Sequence, residues 1–221
     1  MGYLTEDESW QVIAAQRRAL ADLLETLTPT QWSTASLCSG WRVRDVAAHV
    51  ALASQPLGWS LLRDAARARG SFHRLNRDVA LRAFPAADEL IAVLRRDADS
   101  RRLPFVTNYR NLVPDILVHG QDIALPLGLD HPVPVLAARA GAAHVWSMGW
   151  PFHARRRLAG LQLSATDADW RAGRGSTVAG PIAALLLLLT GRVAAAAPHL
   201  HGPGAAFLAS TDHPGATGKL R

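Results

Sequence analysis

Cysteine is almost absent from this chain. Cys38 is the single one in 221 residues, so no internal disulfide framework can form, and a reducing compartment suits it. Lysine is as scarce: Lys219 is the one lysine among 24 basic residues. The net charge of +6 is therefore an arginine charge, spread along the chain with short clusters at 95–96, 101–102 and 155–157. No helix-turn-helix, zinc-finger or aromatic RNA-binding signature accompanies them, so nucleic acid is not the expected partner. Long apolar runs are missing too. The longest, residues 182–189, is far short of the ~20 residues that a membrane span needs. The opening MGYLTEDESW is acidic and polar where a secretory signal is basic and then apolar. These absences lead to the expectation of a soluble, cytoplasmic protein with no membrane partner. Its oligomeric state is not legible.

What is present is a helical grammar. With 49% hydrophobic residues, the chain has enough apolar surface for a sizeable core. Val12, Ile13, Leu20, Leu23, Leu24 and Leu27 recur at helical spacing, which predicts a first amphipathic helix over 5–27, stopped at Thr28-Pro29. A Ser/Thr-rich loop leads to a second helix over about 43–69, with Ser39 as a candidate cap, Gly40 turning the chain and Trp41 packing at the start. Residues 72–84 are an irregular or helical connection. A third helix starts at Pro85, with Asp88 and Glu89 near its positive end and arginines in its last turns. The fourth runs through NLVPDILVHGQDIALPLG, residues 111–128, with Pro114 in its first turn. A further helix covers 135–148. Beyond it the texture changes: residues 157–170 and 176–180 flank a Gly173-Arg174-Gly175 turn in hairpin fashion, followed by an apolar helix over 181–190. The expected fold class is α+β, a four-helix bundle over residues 1–149 and a smaller α/β domain over 150–221 that ends in a flexible tail.

The fourth helix carries the chemistry. Asp115 and His119 are four residues apart, so a helix projects both from one face. A carboxylate oxygen and an imidazole nitrogen suit zinc or another first-row divalent metal. The candidate third ligand is His49, in GWRVRDVAAHV, on the second helix. An isolated acid–histidine pair is more often a surface ion pair, and a lone histidine on an apolar face more often a core residue. Here both histidines sit in apolar surroundings, AAHVAL and ILVHG, where an unpartnered ring is costly. Two imidazoles and one carboxylate leave open positions on a metal, the pattern of a catalytic site. Asp122, three residues after His119, is a candidate acceptor that orients a ligand imidazole, with a helix-end contact as the even alternative. Cys38 reads as a packing residue, since nothing basic adjoins it in sequence.

LCSGWRVRDVAAHV and PDILVHGQDIALPLG together resemble the mycothiol-dependent maleylpyruvate isomerase family of the DinB-like metalloprotein superfamily. RLAGLQLSATDADWRAGRG and GPIAALLLLLTGR are similar to that family's C-terminal domain. The resemblance implies a DinB-like bundle that holds a divalent metal, zinc first, through His49, Asp115 and His119. It implies mycothiol, a low-molecular-weight actinobacterial thiol, as cofactor. The better-known isomerases carry glutamate where this chain has Asp115, which is shorter by one methylene. Arg192, in TGR, is similar to a position from which the second domain delivers an arginine, and a guanidinium there would hold a substrate carboxylate. Capping of the helix end is the equally weighted alternative. The implied activity is a mycothiol-dependent isomerase or thiol S-transferase acting on a small electrophile. The rival expectation is a non-catalytic metal- or ligand-binding bundle with a stress-response or regulatory role. A metal-free protein is the third, if the histidines point apart.

Overall fold

The computed structural model describes residues 4–54, 86–103 and 107–210. It is mostly helical with one small three-stranded sheet, and it divides into two compact units. One spans residues 6–131 and the other continues from residue 132.

The first unit is built on α1, Glu6–Glu25. Ile13, Leu20 and Leu24 are at most 1% exposed, and burying each contributes about 1.5–3 kcal/mol. Thr28 then caps a short helix α2, Pro29–Trp32, through a reciprocal box with Gln31. The second expected helix begins at Val43 as α3, Val43–Leu52. Its cap is Arg42 and not Ser39: the Asp45 carboxylate accepts the Arg42 backbone N–H at 3.0 Å and binds its guanidinium. The expected continuation over 55–69, the connection over 72–84 and Pro85 lie outside the described residues. The third helix, α4, Ala87–Arg96, has acids in its first turn and arginines in its last, as the macrodipole favours. It stops earlier than the pattern suggests, at Asp97. The carbonyls that follow are taken by Arg17, a buried guanidinium whose Nη1 donates to Asp97, Ala98 and Ser100.

The fourth helix, α5, Tyr109–Ala124, begins earlier than expected. Asn108 caps it, its side-chain oxygen accepting from Arg110 and Asn111 N–H at 3.0 and 3.2 Å. Pro114 consequently sits inside the helix rather than in its first turn, and the Arg110 carbonyl has no N–H to accept from at that position. The helix closes in a 3-10 turn, Leu125–Leu127, and a left-handed Gly128. Helix α1 packs on both α4 and α5, and α3 packs on α5 and α4.

In the second unit, α6, Val135–Ser147, packs against the leucine-rich α8, Ile182–Leu189. Nearly every residue of α8 is buried, which explains its uninterrupted apolar run. Between them come a short α7, Ala154–Arg157, and the strands β1, Leu161–Ala165, β2, Arg171–Gly173, and β3, Ser176–Gly180. The sheet order is β2-β1-β3. β1 pairs antiparallel with β2 but parallel with β3. The expected hairpin around the Gly173–Gly175 turn therefore becomes a crossing over the start of β1. There a Cβ on Gly173 would lie 2.2 Å from the Leu161 carbonyl oxygen, and one on Gly175 2.0 Å from that of Gly160. Glycine is required at this crossing by close backbone approach as well as by positive φ. The unit ends with α9, Val193–Ala196, and α10, Pro203–Ser210. No helix among the described residues is long and apolar enough to cross a membrane.

Candidate metal centre

Helices α3 and α5 bring three side chains together. Asp115 and His119 are stacked one turn apart on α5, with Asp115 Oδ1 3.4 Å from His119 Nε2. The same oxygen is 3.7 Å from Nε2 of His49 on α3. The two imidazoles meet edge to face with centroids 4.9 Å apart, so the histidines do not point away from each other. A donor atom from each of the three lies within 4.8 Å of the others. Ligand atoms around a tetrahedral zinc, with bonds of ~2.0–2.1 Å, are about 3.3 Å apart. The donor set and the two distances to Asp115 thus fit a first-row divalent cation.

The cluster keeps an open side. His49, Asp115 and His119 retain 21%, 33% and 14% of their side-chain exposure, which leaves room for a further ligand from solution. Its electrostatics favour a positive species. Burial alone would raise the Asp115 carboxyl, but the charge of His119 and hydrogen bonds from both histidines outweigh it and hold the group well below the usual carboxylate range. Burial alone would lower His119. The Asp115 charge, then hydrogen bonds with Asp115, Asp122 and Cys38, push it well above the ordinary imidazole value instead.

Behind His119 stands Asp122, whose side chain is fully buried. Its Oδ2 lies 2.8 Å from His119 Nδ1. With Nδ1–H donating to that carboxylate, the Nε2 lone pair is directed at the Asp115 side of the ring. The Cys38 thiol donates to the same Asp122 oxygen at 3.1 Å. Cys38 thus has an imidazole near it in space, although nothing basic adjoins it in sequence, and its contact with a buried carboxylate was invisible at a separation of 84 residues. The one local signal was its place in the loop just before the His49 helix. Arg192 lies in the second unit, where it opens α9 and its Nη1 donates to the Thr190 carbonyl at 2.8 Å. This contact is the helix-end role, the alternative to holding a substrate carboxylate.

Residues 13–104 match the family model of the mycothiol maleylpyruvate isomerase N-terminal domain. Over this stretch the chain is similar to that domain. The matched segment includes His49 and Cys38 and ends before α5, so Asp115, His119 and Asp122 lie outside it. Two solved structures share the fold across both units. A crystal structure of the mycothiol-dependent maleylpyruvate isomerase aligns with a TM-score of 0.53 at 17% identity. Its histidine-to-alanine mutant aligns with a TM-score of 0.58 at 18% identity. Each covers 87% of this chain and 92% of the other. No curated protein matches the chain significantly.

Proposed function

We propose that this protein is a divalent-metal-dependent, mycothiol-dependent enzyme, an isomerase or thiol S-transferase acting on a small electrophilic substrate. The observation that carries the proposal is the convergence of His49, Asp115 and His119 from two helices, with donor atoms within 4.8 Å and an open side. The family match over residues 13–104 supports the thiol cofactor and the reaction class. His49 and His119 would hold the cation through Nε2, and Asp115 through a carboxylate oxygen. Zinc is the first candidate for this donor set. A cation held there would supply stabilisation of a cofactor thiolate at neutral pH, the nucleophile for an electrophilic carbon.

The chain's own residues prepare that step. Asp122 accepts a hydrogen bond from His119 Nδ1–H and fixes the ring. Asp115 stays one third exposed, which would leave the centre open to thiol and substrate. For Arg192, the resemblance supports a substrate-carboxylate role, beside its contact with the Thr190 carbonyl. Release of the added thiol gives isomerisation, whereas its retention gives S-transfer.

The test begins with elemental analysis of the purified protein beside His49→Ala and Asp115→Ala, both checked for helicity. Near-stoichiometric zinc or nickel, lost in both variants, supports the three-residue centre. Turnover of an electrophile with mycothiol that vanishes in His119→Ala then supports the enzyme. Bound metal without turnover of any thiol and electrophile pair would leave a non-catalytic metal-binding bundle. A wild type that takes up no divalent metal on reconstitution would overturn the reading.

A further inference from the structure

We propose that Cys38 is a positioning residue for this centre: by sharing Asp122 Oδ2 with the His119 imidazole, its thiol holds the ring with Nε2 toward Asp115 and His49. The inference rests on the metal-centre reading and concerns a residue that contributes no donor to the His49, Asp115 and His119 set. A half-buried free thiol usually behaves as a small apolar group. Here its Sγ instead faces a carboxylate with no exposed surface, 3.1 Å away, and a buried carboxylate requires several donors. The His119 Nδ1–H and the Cys38 S–H converge on the same oxygen. Sγ and Nδ1 are 3.8 Å apart, a loose direct contact. Asp122 is therefore the stronger link between them.

The loop that carries Cys38 is itself fastened. Leu37 N–H donates to the Asp122 carbonyl at 3.2 Å. Ser36 Oγ accepts from Cys38 N–H at 3.2 Å and donates to the Trp41 carbonyl at 2.9 Å. Trp41 N–H returns to the Cys38 carbonyl at 2.9 Å, and Gly40 supplies the left-handed turn with φ of 75°. At the far end of the same loop, the Trp41 ring meets His49 edge on, with centroids 5.7 Å apart. One short loop thus buttresses both histidines, His119 through Cys38 and Asp122, and His49 through Trp41.

A packing role and a hydrogen-bonding role respond differently to alanine and serine. Alanine removes the donor, whereas serine keeps one in a similar volume. Cobalt(II) affinity of the wild type, Cys38→Ala and Cys38→Ser would be measured by chelator competition. In parallel, the tautomer of His119 would be read from its ring nitrogen shifts in the metal-free proteins at alkaline pH, where the ring is neutral. Partners behind a ligand are worth ~10–100-fold in metal affinity, and Cys38, one step further back, is expected at the ~10-fold end for Cys38→Ala, with Cys38→Ser recovering most of it. The wild type and Cys38→Ser should show the Nδ1–H tautomer, and Cys38→Ala a mixture. Wild-type affinity in Cys38→Ala, or equal losses in both variants, would overturn the proposal. If the wild type takes up no cobalt, the metal-centre reading fails separately. The tautomer then decides the role of Cys38, and an unchanged His119 tautomer in Cys38→Ala overturns it.

Discussion

The Nδ1 nitrogen of His119 lies 2.8 Å from Oδ2 of Asp122, a carboxylate with no solvent exposure, while Nε2 of the same ring faces Asp115 at 3.4 Å. One imidazole therefore stands between two carboxylates, and each ring nitrogen has its own task. Asp122→Asn keeps the shape of the acceptor but removes its charge. Divalent-metal affinity is expected to fall by ~10–100-fold with helicity unchanged. Chelator competition measures this, and an unaltered affinity would reduce Asp122 to a tie between α5 and the Cys38 loop.

One oxygen of Asp115 faces both histidines, at 3.7 Å from His49 Nε2 and 3.4 Å from His119 Nε2. Asp115→Glu carries the carboxylate one methylene further out, and Asp115 is one third exposed, so the longer chain has room. Near-stoichiometric metal is expected in Asp115→Glu and little in Asp115→Ala. Elemental analysis of both decides it. Retention of metal by Asp115→Ala would remove Asp115 from the centre.

Gly120, next to His119 on α5, makes room for another buried ring. A Cβ at this position would lie 2.5 Å from Cδ2 and 2.6 Å from Nε2 of His131. Gly120→Ala must displace that imidazole, and the expected loss is about 1–3 kcal/mol, as for other overpacked sites. Denaturant unfolding measures it, and the loss should shrink in a His131→Ala background, the coupling expected of residues in contact.

His131 also predicts a pH dependence. Its side chain is buried, and its Nε2 has no hydrogen-bond partner among the described residues. Burial lowers its pKa from the ordinary 6.5, with Asp130 opposing weakly. The folded protein binds this proton less readily than the unfolded chain. The stabilisation is thus fully present above pH 6.5 and is lost as the pH falls through that value toward the depressed folded pKa. The slope for one proton is at most about 1.4 kcal/mol per pH unit. Urea midpoints between pH 8 and 5 test this. The part of the decline due to His131 should disappear in His131→Gln, and an identical decline there would assign it to other groups.

Local periodicity made some of this legible. A helical spacing of 3.6 residues puts Asp115 and His119 on one face whatever surrounds them, and the apolar rhythm of residues 5–27 requires an amphipathic helix. The motifs around His49 and α5 likewise carry the resemblance to the isomerase family. Pro114 misled the placement of the α5 start because a proline tolerated inside a well-packed helix looks, in sequence, like one that opens it. Tertiary structure alone decided the rest. The approach of His49 to Asp115 depends on how α3 packs against α5. The parallel pairing of β1 with β3 depends on a glycine crossing that reads as an ordinary turn. The Cys38–Asp122 contact spans 84 residues and is made by a folded-back loop with no period of its own. Short-range pattern fixes which side chains share a face, because the backbone repeat is local. Which faces meet is settled by packing, hydrogen bonding and charge acting together in the folded chain.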